Sequence, residues 1–213
     1  MSVEFPQPGT SSLVDRVKNI LLKPQEEWRR IDAEPATVAD IFKSYVVPLA
    51  AIGPVALLVG SLLFGYSLLL VTFRPSIGFA ISVAVSHYIM ALVNVFVLSL
   101  IFNLLAPNFG GQKSDVQATK VAACSCTAAW VAGVFLIFPG LAFLAILGGL
   151  YSLYLLYLGL PRLMKVPEDK ALTYVIVSIV AAFVVFFITN RIAMSLDSVF
   201  APSIIPGGTL TVS

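Results

Sequence analysis

Residues 77–105 read IGFAISVAVSHYIMALVNVFVLSLIFNLL and contain no Asp, Glu, Lys or Arg. A helix needs roughly 20 predominantly apolar residues to cross a hydrocarbon core of about 30 Å, and it satisfies its backbone hydrogen bonds within itself. This stretch meets that length without a single formal charge. It therefore predicts that the chain crosses a membrane as a helix.

Four further apolar stretches accompany the first, at about residues 46–73, 121–138, 141–160 and 172–190. The chain is 59% hydrophobic and only 11% charged, whereas a soluble domain carries about 25% charged residues. The sequence predicts an all-α fold, a polytopic membrane bundle of five transmembrane helices over residues 46–190. A large soluble enzyme domain is excluded.

The Lys and Arg residues lie almost entirely on one side of the predicted spans. Eleven of them fall before the first span or in the second and fourth loops: Arg16, Lys18, Lys23, Arg29, Arg30, Lys43, Lys113, Lys120, Arg162, Lys165 and Lys170. Only Arg74 and Arg191 lie on the other side. Because short basic loops stay in the cytoplasm, we expect a cytoplasmic amino terminus and an extracytoplasmic tail over residues 191–213.

Residues 1–45 are predicted to be a cytoplasmic segment with short amphipathic helices. Ser12 stands three residues before Asp15, which is a capping-box arrangement at a helix start, and an apolar face follows. Pro24 ends that helix and suits the first turn of a second one. The segment is therefore predicted to form two short helices lying against the membrane and not a separate domain.

Trp28 stands beside Arg29 and Arg30 in the second short helix. A Trp next to basic residues is typical of an anchor at the lipid-headgroup level. Two alternatives stay open for the same apolar face. It packs on the protein's own loops, or it docks a partner.

Two prolines, Pro48 and Pro54, lie inside the first apolar stretch. A proline in a membrane helix leaves a carbonyl without its N–H donor, so neighbouring groups must satisfy it. The pair predicts a bend in the first span, and it is also a candidate hinge.

Spans three and four are predicted to pack closely as one unit. Small residues recur along both of them, and such faces let helices approach each other. These residues are Ser125, Ala129 and Gly133 in span three and Ala145, Gly148 and Gly149 in span four. The turn around Pro139 leaves room only for an antiparallel hairpin.

His87 and Asn94 form the candidate polar site inside the membrane. They are seven residues apart and therefore lie on nearly the same face of the second span. An ionisable residue in the membrane is a functional candidate, but neutral His and Asn can also hydrogen-bond across helices as structural contacts, here to tyrosines of span four. Because every Asp and Glu lies outside the five predicted stretches, we expect no acidic ion relay.

No set of residues in the sequence assembles a metal cluster, a phosphate loop or a catalytic pair. We therefore expect no enzyme activity, no cofactor and no metal. The net charge of +2 reflects the bias toward one side of the membrane and gives no case for nucleic-acid binding.

Several segments together resemble the bacterial branch of the Yip (Ypt-interacting protein) family of five-span membrane proteins. They are LLKPQEEW (residues 21–28), APNFGG (106–111), YLLYLGLP (154–161) and LMKVPEDKA (163–171). The resemblance covers residues 13 to about 190. Eukaryotic members are associated with vesicle traffic and small GTPases, but the short basic amino terminus here does not imply a GTPase partner.

The loop between spans four and five is the candidate cytoplasmic interaction surface. Prolines stiffen it, and basic and acidic residues alternate along it. Its residues are Pro161, Arg162, Lys165, Pro167, Glu168, Asp169 and Lys170. The alternative is a simple connection held by anionic lipid on the cytoplasmic face.

The resemblance and the charge pattern together predict a non-catalytic protein of the bacterial inner membrane. It would act as an adapter or scaffold in membrane organisation, with a membrane-protein partner or a second copy of itself. The alternative is a small channel or transporter that uses the polar residues of span two. A lipid-modifying enzyme has no convincing set of reactive residues in the sequence.

Overall fold

The computed structural model describes residues 12–68, 71–73 and 75–200. Within them, five helical segments are long and apolar enough to cross a membrane. These segments, called spans one to five, are Val38–Phe64, Ile77–Phe109, Asp115–Ile137, Pro139–Leu163 and Glu168–Ser198. The predicted all-α five-span fold is confirmed.

The spans follow two short helices, α1 (Leu13–Leu22) and α2 (Pro24–Ala33). Span one consists of α3 (Val38–Ile41), a π-helical turn (Phe42–Val46), α4 (Val47–Ala50) and α5 (Ile52–Phe64). Span two is α6 (Ile77–Leu105) with a 3₁₀ turn (Ala106–Phe109). Span three contains α7 (Asp115–Ser125), α8 (Thr127–Ala132) and a 3₁₀ turn (Gly133–Ile137). A further 3₁₀ turn (Pro139–Leu141) and α9 (Leu144–Leu163) form span four, and α10 (Glu168–Phe200) contains span five.

The spans alternate in direction, so the bundle has two ends. The amino-terminal end holds α1, α2 and the connections at residues 110–114 and 164–167. The opposite end holds the connections from span one to two and from span three to four, together with the last turns of α10.

Polar caps start α1 and α3 at the amino-terminal end, and the cap at Ser12 was predicted from the sequence. The Ser12 hydroxyl accepts the backbone N–H of Asp15 at 3.1 Å. At the start of α3, the Asp40 N–H donates to the Thr37 hydroxyl at 3.2 Å, and the Thr37 N–H donates back to the Asp40 carboxylate at 3.3 Å. These bonds satisfy donors that a helix start leaves unpaired.

Span one changes its helical form around its two prolines. The π-helical turn lies directly before Pro48, where a regular α-helix would press the proline ring against the Ser44 carbonyl. Pro54 falls in the first turn of α5, where a missing N–H costs nothing. The Tyr88 hydroxyl of span two donates to the Val47 carbonyl at 3.0 Å, beside Pro48. The hinge remains a prediction.

Span one ends earlier than the predicted residue 73. Gly65 has a φ of 73°, a left-handed conformation that glycine adopts without strain, and it stops α5. Two short strands follow, β1 (Tyr66–Leu68) and β2 (Val71–Phe73), paired antiparallel with Tyr66 opposite Phe73. The described apolar residues 66–68 and 71–73, which lengthened the predicted span, thus pair as two strands at the opposite end.

Spans three and four approach each other closely, which confirms the prediction from their small residues. A Cβ added to Gly148 would lie only 2.7 Å from the Ala128 carbonyl oxygen. The Ser152 hydroxyl of α9 accepts the Ala129 N–H at 3.0 Å, just after the break between α7 and α8 at Cys126. Gly148 therefore allows the short distance between α8 and α9. Ser152 accepts the Ala129 N–H, which the helix break leaves without its usual partner.

The helix of span five extends well past the predicted end at residue 190. The Tyr174 hydroxyl near its start donates to the Phe102 carbonyl of span two at 2.7 Å, and α10 then continues to Phe200. The tail predicted over residues 191–213 therefore continues as helix as far as Phe200, and its remainder lies outside the described residues. This extension carries Asp197 back along α6.

Candidate functional site

The amino-terminal helices are docked on the bundle through Trp28. Its side chain is 1% exposed, and a Cβ added to Gly159 of α9 would lie 2.5 Å from the indole ring. Trp28 thus fills a notch that exists because residue 159 has no side chain. The prediction that Trp28 is a lipid-headgroup anchor is wrong, although Arg29 and Arg30 are exposed. Packing on the protein itself was the correct alternative.

Side chains from the bundle bond to the carbonyls at the carboxyl ends of α1 and α2. The Tyr151 hydroxyl donates to the Leu21 carbonyl at 2.8 Å. The Lys120 ammonium donates to the carbonyls of Ile31 and Glu34 at 2.7 and 2.5 Å. Helix ends leave such carbonyls unpaired, and they attract cations. Each short helix is therefore capped by a residue of a membrane span.

Together, α1 and α2 form a layer on the amino-terminal end of the bundle, here called the cap. Asp32 of α2 joins the cap to two further parts of the bundle. Its carboxylate accepts the Lys165 ammonium at 2.6 Å and the Gln117 amide of α7 at 3.2 Å. Gln117 also donates to the Asp32 carbonyl at 3.1 Å. One aspartate therefore links α2, span three and the connection between spans four and five.

Two charged residues beneath the cap have shifted pKa values. Burial disfavours the charged form of Arg16, but its bond and attraction to Glu34 outweigh that effect and hold the Arg16 pKa above its ordinary value. Burial raises the pKa of the Glu27 carboxyl, and the charges of Arg16 and Arg30 oppose this only in part. Within the described part of the chain, Glu27 Oε1 is buried without a hydrogen-bond partner. The interior of the cap therefore disfavours an ionised Glu27.

The predicted interaction loop is shorter and more ordered than the sequence indicated. Pro161 lies inside the last turn of α9, and α10 begins at Glu168. Lys165 has a φ of 54°, and the Val166 N–H donates to the Pro161 carbonyl at 3.0 Å, which closes the helix end. The remaining residues of the loop, Arg162, Pro167, Glu168, Asp169 and Lys170, are exposed.

His87 has an acidic neighbour that the sequence analysis did not predict. Its Nε2 lies 3.4 Å from Oδ2 of Asp197, and the Ser86 hydroxyl donates to Oδ1 of Asp197 at 2.5 Å. His87 lies about 15 Å along α6 from Ile77, inside span two. Asp197 lies beyond the fifth predicted stretch but inside span five, so a carboxylate reaches this part of the bundle.

This cluster joins a hydroxyl, a carboxylate and an imidazole. The Asp197 carboxylate stands between the other two groups, because it accepts the Ser86 hydroxyl with Oδ1 and faces His87 with Oδ2. A carboxylate at this depth is costly unless partners stabilise it, and these two side chains are its partners. The side chains of His87 and Asp197 are 35% and 17% exposed, so the pair lies at the edge of the α6–α10 contact.

Asn94 does not join His87 in one hydrogen-bonded network. Its Oδ1 is buried and has no partner among the described residues. The predicted tyrosine contacts are also not formed at Tyr151, whose hydroxyl bonds to α1. The structure therefore separates the two predicted polar residues and gives His87 a different partner.

Asp197 and Lys120 are the residues that sequence reasoning missed. A signal for Asp197 existed, because it alone among the acidic residues follows the fifth apolar stretch and so shares a side with the start of span two. Lys120 was counted as a loop charge, yet it is 4% exposed within α7. The sequence gives no local sign that this lysine is buried.

Comparison with known proteins identifies relatives over most of the chain. The Yip1 domain family model matches residues 18–189. The inner membrane protein YohC is 23% identical over 165 residues, in Escherichia coli strain K12 and equally in E. coli O6:H1 strain CFT073. Each alignment covers 76% of this chain and 85% of the relative. No solved structure matches the chain.

Proposed function

We propose that this chain, which belongs to the Yip1 domain family, is a non-catalytic adapter or scaffold of the bacterial inner membrane. The location is inferred from the relative named an inner membrane protein together with the five spans. The family resemblance predicted from the sequence is confirmed.

The docked cap is the observation that carries the adapter role. Trp28, Asp32 and Lys120 fix α1 and α2 against spans three and four, so the outer surface of the cap is preformed. The connection between spans four and five joins the same surface through Lys165. A preformed charged surface binds a partner without first being ordered, which lowers the entropic cost of binding.

Affinity capture after crosslinking in the membrane tests the adapter role. Lys165 is unsuitable for charge reversal because it pairs with Asp32, so the variant is Arg162→Glu with Lys170→Glu, both at exposed positions. The control is Arg191→Glu, at an exposed position of α10 away from the amino-terminal end. We expect a heterologous partner in stoichiometric amounts with wild type and control, and its loss with the double variant.

Equal capture of the partner by the double variant would contradict the proposed surface. Recovery of only self-crosslinked chains would contradict the adapter role and leave the scaffold role, in which copies of this chain bind one another. We also propose that anionic lipid binds the exposed basic residues of the same face.

The proposed orientation places the cap in the cytoplasm. The excess of Lys and Arg at the amino-terminal end supports it. A reporter fused after Ser213 should be active only outside the cytoplasm. Activity restricted to the cytoplasm would reverse the orientation and move the proposed interaction surface to the other side of the membrane.

A small channel or transporter is the second candidate, and the pairing of His87 with Asp197 favours it. A carboxylate and an imidazole within a span are typical of proton pathways. Proton flux into proteoliposomes should then fall in Asp197→Asn and persist in Ser195→Ala, an exposed site on the same helix. Equal flux from all three proteins and from empty liposomes would eliminate this candidate.

A further inference from the structure

A cavity of about 330 Å³ lies beneath α1, between the connection that follows α2, the start of span one and α7. Arg16, Glu34, Asp40, Ser44, Tyr45 and Lys120 contribute its polar wall. Asp40 and Ser44 are exposed and mark its mouth, whereas Lys120 is buried at its inner side. Its size is that of a pocket for a small ligand or a headgroup.

The ammonium of Lys120 keeps one donor beyond the two that the described contacts use. It donates to two carbonyls, and an ammonium has three donors. Among the described residues it forms no ion pair with a carboxylate. The carboxyl end of α2 supplies about half of an elementary charge at most. A buried charge is costly unless it is paired, so this site favours an anionic oxygen.

The position of the cavity matches the headgroup layer. Its mouth lies at the first turns of span one, and Lys120 lies about 7 Å along α7 from Asp115. Leu13 and Ile41 add apolar surface to the same wall. Arg16, although bonded to Glu34, brings a second cation to the cavity. A ligand here meets the Lys120 ammonium inside and apolar side chains beside it, and it passes the Asp40 carboxylate at the mouth.

We infer that this cavity binds the phosphate of a phospholipid headgroup. A phosphate oxygen accepts the third N–H of Lys120, and the charge of Arg16 adds attraction. The inference is independent of the adapter role, because it concerns a ligand held beneath the cap and not a partner bound to its surface. It also gives Lys120 a function other than capping α2.

Native mass spectrometry of the full chain, delipidated and then titrated with phosphatidylglycerol, tests the site. Lys120→Met removes the cation, and Ala36→Phe fills the cavity while leaving the Lys120 bonds intact. Lys113→Met, at an exposed position before α7, is the control. We expect one tightly bound lipid, weakened about tenfold or more in the first two variants and unchanged in the control.

Three results would overturn the inference. The first is equal lipid retention by Ala36→Phe and Lys113→Met, a comparison that stands even if Lys120→Met fails to fold. The second is equal binding of diacylglycerol, which carries no phosphate. The third is displacement of the lipid by millimolar inorganic phosphate, which would assign the site to free phosphate instead of a phospholipid.

Discussion

The two ends of the bundle are held by different kinds of contact. At the amino-terminal end, Trp28, Lys120 and Tyr151 fix two short helices through a glycine notch and through bonds to helix-end carbonyls. At the opposite end, the described polar contact between spans two and five is the cluster of Ser86, His87 and Asp197. Short helices leave many unpaired carbonyls, so they need donors from the bundle, whereas long spans pair their own backbone.

The notch at Gly159 should produce the largest effect. Gly159→Ala places a methyl group within 2.5 Å of the Trp28 ring, and the ring has nowhere to move without undocking α2. We expect α1 and α2 to lose about 2–3 kcal/mol of docking free energy. Protease protection of residues 13–33 in detergent measures this loss.

Gly149→Ala is the matched control, because it lies on the same helix and a Cβ there meets no atom within 4 Å. Equal protection of the two variants would show that Trp28 does not depend on the notch. The contrast between the two ends would then rest on the hydrogen bonds alone.

The second-largest effect is expected from Asp197→Ala, at the opposite end. This change removes the acceptor of the Ser86 hydroxyl and the partner of His87, at a cost of about 1–2 kcal/mol confined to the last turns of α10. Hydrogen exchange should accelerate near residues 190–200 and stay unchanged in α1 and α2. Faster exchange at both ends would contradict their independence.

These outcomes follow from contacts that the sequence predicts unequally. Five spans were predictable because length and apolarity are local properties of residues such as 77–105. The burial of Trp28 was not predictable, because Trp-Arg-Arg suits a membrane anchor as well as a buried contact. Gly159, which decides between the two, lies 131 positions away in the sequence. Asp197 and Lys120 depend on how helices pack, which hydropathy does not encode.

Glu27 should give a smaller effect, with a definite dependence on pH. Burial raises its pKa in the folded protein above the ordinary value of 4.5. Its protonated form therefore favours docking, a contribution that is complete below pH 4.5 and is lost as the pH rises through the raised value. Glu27→Gln should strengthen docking at pH 8 by about 1 kcal/mol or less.

Protease protection of the cap at pH 5 and pH 8 tests this prediction. Wild type should lose protection between the two values, and Glu27→Gln should lose less. Glu26→Gln, at an exposed neighbouring position, should behave as wild type. Weaker docking in Glu27→Gln would mean that the charge of Glu27 stabilises the cap, which is the opposite of what its raised pKa predicts.

The smallest effect is expected at Lys165, whose side chain is 49% exposed. Lys165→Met removes its ion pair with Asp32, and exposed pairs contribute about 0.2–1 kcal/mol. Increasing salt should weaken the cap of wild type slightly and leave that of Lys165→Met unchanged. A loss as large as that of Gly159→Ala would place Lys165 among the main contacts of the amino-terminal end.

The docking of α1 on α9 has a consequence for the order of events during synthesis. Leu21 receives its bond from Tyr151, 130 residues later, so the first helices emerge long before their binding site exists. At about 5–20 residues per second, the delay is on the order of 10 s. Throughout that interval the nascent chain exposes Ile20, Trp28 and Ile31 to chaperones and proteases. Completion of span four is therefore the step that ends this exposure.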